Sequence, residues 1–427
     1  MDLLDHHCTY EKEVSRRALV SDLLLRCVCC HSARQLSLLP SGEIWGPVAT
    51  RYYTESLRLL VGQLSDPKPQ SDTLTAVILL MAYEATAAPG YEHKRHIEGA
   101  VKLMKAHRVD ANSRGLDSAN FWVFVRHDLF SAFTTESKLQ LGAREWGVRL
   151  GGGDGDGDGG VVEEDILAQR LMWLVGRAVD VTYGDGDEGD REREREELRK
   201  DIRVWEKSVP ETFWGIHYGE ECGDGLEKIH FAIQSAGRSL FSPFVLLSPL
   251  FLFVCPFFPY LQRRSVLKEL AVKRVARLYA NCMVALASAV MWYHTLHILL
   301  LAEPNQPTHS NHSKVSSPRS VHQQSLRIQQ QIQYHATEIL NICISNICDA
   351  VRCFSVHPLF FGQCGPSLPN MQFSSSKPLT LHTAGKHVDC LMKKTKAWIL
   401  LESIQKDLGF HTKNRVQTLQ RLLEHQV

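Results

Sequence analysis

The feature that most restricts this chain is the stretch from Ser71 to Phe133, where apolar residues recur at helical spacing through three successive segments. Leu74 to Ala87 is apolar almost all round, the pattern of a helix buried on most sides. Ala88, Pro89 and Gly90 end it. From about Glu92 to His107 the pattern turns amphipathic, with Ile97, Ala100, Val101 and Met104 at i, i+3, i+4 and i+7. Gly99 sits inside this segment at a cost of about 1 kcal/mol relative to alanine, which predicts that it serves a close helix approach. Phe121 to Phe133 makes a third helix, with Phe121, Val125, Leu129 and Ala132 along one side. Three packed helices are the expected result.

Helical spacing continues on both sides. Arg17 to Leu38 reads as a helix ended by Pro40, Ser41 and Gly42, and Val48 to Leu64 as another, closed by the turn at Asp66, Pro67 and Pro69. Further helices are predicted over Glu163–Val181, Leu267–Leu301, from the glutamine-rich stretch after Ser320 to about Phe354, and over Gly385–Leu408. The run REREREELRKDIRVWEKSV from Arg191 places opposite charges three or four residues apart, as on a solvated helix. No strand ladder or internal repeat stands out, so the predicted fold class is all-α. Residues 1–16 read as an N-terminal tail and 17–427 as one large helical domain. Low-complexity acidic and glycine-rich loops are placed at 151–160 and 184–197, and a polar linker at 303–320.

Residues 239–262 break the pattern. This run of 24 uncharged residues contains Pro243, Pro249, Pro256 and Pro259. It is long enough to span a bilayer, which needs about 20 residues, but each proline removes a backbone donor from a helix. The readings are a membrane span, a buried irregular loop, or translated non-coding sequence retained in the gene. The last is preferred, because the flanking sequences are ordinary amphipathic helix.

Composition excludes several classes. Charged residues make up 22% and the formal net charge is +1, so there is no global electrostatic case for nucleic acid or an anionic membrane. The twelve cysteines are scattered through apolar surroundings, as free thiols of a reducing compartment are. The polar N-terminus lacks a signal-peptide apolar core, and the protein is expected inside the cell.

Several motifs invite chemistry. Cys27, Cys30 and His31 form a C-x-x-C-H, whose two thiols and imidazole could attach haem, yet they lie on an apolar helical face and read as packed core thiols. One C-x-x-C supplies two of the four ligands of a structural zinc site. Asp154, Asp156, Asp158 and Asp165 approximate a calcium loop, but a Gly-Asp repeat matches that spacing by composition. His294 and His297 flank apolar residues and read as core or rim histidines. Glu84, His96, Arg126 and Asp128 are the remaining set, expected as a buried polar network between neighbouring helices, with an acid–base site as the alternative. No catalytic, cofactor-binding or metal-ligating residue is assigned, and no cofactor is expected.

These residues also carry a resemblance. The helix Leu23 to Leu36 with Ser32-Ala33-Arg34-Gln35, the helix ending in Tyr83-Glu84, His96-x-x-Gly99-Ala100, and Phe121-Trp122 through Arg126-x-Asp128 resemble the fungal-specific regulatory domain of zinc-cluster transcription factors. Within that group they are most similar to the acriflavine-sensitivity control protein type, over Leu23 to Leu141 and more loosely beyond. The resemblance implies a helical regulatory and interaction module, a nuclear location, and a metabolic or secondary-metabolite gene set as target. Its expected partners are the transcription machinery or a DNA-binding regulator, and it admits a small apolar effector. Complete members carry a six-cysteine zinc cluster N-terminal to this domain. This sequence contains no pair of C-x-x-C units, which argues against direct DNA binding. The alternatives are a helical enzyme using Glu84, His96, Arg126 and Asp128, and a membrane-anchored protein held by the 240–261 run.

Overall fold

The computed structural model describes residues 5, 7–38, 42–65, 72–87, 94–150, 164–222, 226–231, 286–301, 318–345, 391–408, 416, 417 and 420. The all-α class is observed. The chain opens with a π-helical turn, Tyr10–Val14, continued by α1 (Ser15–Ala18). There follow α2 (Asp22–Ser37), α3 (Trp45–Leu64), α4 (Asp72–Ala87), α5 (Lys94–His107) and α6 (Gly115–Thr135). Next come α7 (Glu164–Tyr183), α8 (Glu188–Ser208), strands β1 (Ile216–Cys222) and β2 (Leu226–His230), α9 (286–301), α10 (Pro318–Ile344) and α11 (Leu391–Leu408).

The central element is α4. From Thr73 to Glu84 every side chain is buried, because α2 and α3 cover one flank and α5 and α6 the other. That enclosure is what an all-round apolar sequence requires. Amphipathic α5 lays Ile97, Ala100 and Met104 into the same core. Gly99 departs from expectation: a Cβ there would meet no atom within 4 Å, so its helical cost secures no close approach. The glycine that does so is Gly176 on α7, where a Cβ would lie 2.7 Å from the buried Trp146 ring.

Four expectations are corrected by long-range or capping contacts. From Tyr10 on, the segment predicted as a tail (1–16) packs into the core: Tyr10 and Val14 are buried, and the Tyr10 hydroxyl donates to Asn120 Oδ1 at 2.7 Å. The first long helix starts at Asp22 and not Arg17, because Ser21 is extended and its hydroxyl accepts from the Leu24 amide. The acidic loop placed at 184–197, within which the charge spacing predicts a helix from Arg191, is helical from Glu188. Asp187 caps α8 by accepting from the Asp190 amide at 2.7 Å, and acidic residues fill the first turn. A strand pair is also present. β1 and β2 are antiparallel, register Ile216 with His230, and break that register between Tyr218 and Cys222. The free amides of Glu227 and Ile229 are taken up by Asn341 Oδ1 and Ser345 Oγ from the end of α10. These partners lie more than a hundred residues away, beyond any local pattern.

Most of the buried apolar residues form one large core, from Tyr10 through α9 and on to Ile342, with Cys30, Ala33, Ala49 and Tyr83 in a small cluster beside it. A second core holds Leu226, Ile298, Ile332, Ala336, Ile339, Leu340, Ala397, Leu401 and Ile404, drawn from β2, α9, α10 and α11. Helix α9 is shared by both. The low-complexity loop 151–160, the apolar run 239–262 and residues 303–317 of the predicted linker lie outside the described residues, and Pro318 to Ser320 open α10. No helix among the described residues is long and apolar enough to cross a membrane.

Candidate functional site

Glu84 stands near the end of α4, buried, with its Oε1 shared by two partners. The Tyr53 hydroxyl of α3 donates to it, and His96 Nε2 of α5 lies 3.0 Å away. Glu84 Oε2 is buried without a hydrogen-bond partner among the described residues. The Tyr53 ring stacks on Tyr83 with centroids 4.8 Å apart. Burial and the Glu84 carboxylate push the Tyr53 phenol above its ordinary range, so it stays a donor. One carboxylate thus ties α3, α4 and α5 together.

Asp128 does other work. Buried on α6, it accepts from the backbone amides of Gln140 at 3.1 Å and Leu141 at 2.9 Å. Asp180 on α7 does the same for Leu139 at 3.1 Å and Ala143 at 2.7 Å. The turn between α6 and α7 is therefore held from both sides by carboxylates. Trp146 and Trp173 add ring N–H donors to the carbonyls of Leu141 and Ala143. Burial pushes the Asp128 carboxyl up to about 7 against the two amides that favour its charge, and raises Asp180 as well. Arg126 is half-buried on the same helix as Asp128. Of the four residues singled out in the sequence, Glu84 and His96 are in direct contact, while Asp128 serves the 139–143 turn.

Two further polar clusters are present, one with no sequence signal and one with only part of one. Asn120 accepts from Tyr10 and donates to Thr75 Oγ1 at 3.0 Å, in a fully buried bridge. Between α8, α9 and α10, His294 and His335 meet Nδ1 to Nδ1 at 2.8 Å, and His335 stacks flat on His297, centroids 4.6 Å apart. Glu206 of α8 accepts from the Tyr293 hydroxyl at 2.8 Å and lies 3.6 Å from His297 Nε2. The short spacing of His294 and His297 was visible, but the third histidine arrives from a helix forty residues on.

The C-x-x-C-H motif sits in the core, as its apolar face implied. Burial pushes both the Cys27 and the Cys30 thiol up to about 12, and lowers His31 to about 4. Thiols so raised stay protonated at neutral pH, whereas covalent and metal chemistry use the thiolate. Among the described residues, no group of three or more His, Cys, Asp or Glu side chains is placed to hold a metal ion.

No curated protein and no solved structure matches this chain. A family match is found, and it covers the N-terminal turn, α1 to α6 and the start of α7, with Glu84, His96, Arg126 and Asp128 inside it. Over residues 6–169 the chain matches the family model of the fungal specific transcription factor domain.

Proposed function

We propose that the protein is a nuclear transcriptional regulator acting through contacts of its helical domain with the transcription machinery or a DNA-binding regulator. The single observation that carries this reading is the domain match over residues 6–169. It makes transcriptional regulation the supported class. The target is a metabolic or secondary-metabolite gene set, in keeping with the resemblance from Leu23 to Leu141. Glu84, Tyr53, His96 and the Asp128 turn serve as architecture in this reading. They lie within the packed domain and each satisfies a specific inter-element contact.

The decisive experiment pairs deletion of the gene, read by transcript profiling, with imaging of the tagged protein. Altered transcripts of a coherent gene group together with nuclear signal support the proposal. Unchanged transcripts and a signal excluded from the nucleus overturn it.

A further inference from the structure

His294, His297 and His335 lie where the two apolar cores meet. Helix α9 gives Leu296 and Leu299 to the large core and Ile298 to the second, to which α10 adds Ile332, Ala336, Ile339 and Leu340. His294 and His335 are joined by one hydrogen bond between their Nδ1 atoms. Such a bond needs one N–H and one lone pair, so at least one ring must be neutral at that nitrogen. Charging both rings sets N–H against N–H at 2.8 Å, with His297 stacked directly behind. On geometric grounds alone the pair therefore resists charging of both rings.

We propose that this histidine cluster is a pH-operated latch: acidification charges the buried rings and releases α10, with the second core, from α9 and the large core. This goes beyond the regulatory reading and does not depend on it.

Charged and titratable groups lie on the elements packed around the cluster. Glu206 on α8 holds Tyr293 and approaches His297. The hairpin brings His217, bonded to Glu227 at 2.8 Å and 3.3 Å from Glu338. Helix α10 adds Tyr334, edge-on to His294, and Glu338. Helix α11, packed on α10, carries the buried Lys394.

Burial lowers His294 well below the ordinary histidine value and His335 to about 3. A group whose folded value is depressed below about 6.5 binds fewer protons folded than open in between. Closure therefore weakens as pH falls from about 6.5 towards 3. Glu338, raised by burial, works in the opposite direction and moderates the response. For each buried histidine the opening equilibrium rises about tenfold between pH 7.5 and 5.5, so about a hundredfold for the pair.

Hydrogen exchange of the full chain at both pH values, corrected for intrinsic exchange, tests the latch. The expected result is up to about a hundredfold faster exchange in 318–344 at pH 5.5, with α4 unchanged. An unchanged corrected rate in α10, or equal loosening of all helices, overturns the proposal on the wild-type chain alone. His335→Gln and, separately, His294→Asn should flatten the dependence to about tenfold or less. Full wild-type pH dependence in either variant also overturns it.

Discussion

Asp128 shows how much one side chain carries in this domain. Its two oxygens each hold a backbone amide of the 139–143 turn. In Asp128→Asn, one carboxylate oxygen becomes an NH2 group facing a backbone N–H, and a buried donor left unsatisfied costs about 1–3 kcal/mol. Urea unfolding at pH 5 should show that loss. The pH dependence follows from the raised carboxyl, which burial pushes up to about 7. A raised carboxyl binds more protons folded than unfolded between about 4 and 7, so its contribution is present at the acid end and is lost as pH rises. The stability gap between wild type and Asp128→Asn should therefore narrow from pH 5 to pH 8. A gap that widens contradicts this account. An Asp on an apolar helix was noticeable in the sequence. Its partners were not, because they are amides of a turn with no compositional mark.

Among elements, α4 is held on all sides by packing, and the Glu84 contacts fix how α3 and α5 seat on it. A double-mutant cycle on Glu84→Gln and His96→Ala should give a coupling of about 0.5–3 kcal/mol in thermal or urea unfolding. Additive effects would mean that the two groups do not stabilise one another. His96→Ala also separates the structural from the catalytic reading. An architectural His96 loses stability alone, whereas an enzyme would lose turnover with the fold intact. The charged helix α8 contrasts with α4. Its exposed pairs, such as Arg193 with Asp190 and Arg199 with Glu196, contribute about 0–1 kcal/mol each. Its buried Leu198, Ile202 and Trp205 attach it to the core. The helical identity of α4, α5 and α6 was legible because their apolar residues recur at 3.6-residue spacing. The hairpin was not, since Ile216–Cys222 is short and charged and its outer amides depend on α10.

At the scale of the molecule, two apolar cores share α9. Leu401 on α11 is fully buried in the second core. Leu401→Ala removes its packing at a cost of about 2–5 kcal/mol, and exchange should rise first in α10 and α11 while α2 to α6 keep their protection. Uniform loss across all helices would show one cooperative core instead. Sequence alone determined the helical class, the three-helix run from Ser71 to Phe133, the core placement of Cys27 and Cys30, and the family resemblance that the domain match bears out. These follow from local period and composition, which act over one or two turns of chain. Only the tertiary structure decided that Tyr10 belongs to the core, that Glu84 meets His96 while Asp128 meets a turn, and that three histidines gather at a seam. Each of those outcomes is a contact between distant segments. Burial, not spacing, selects which polar groups must find one another there.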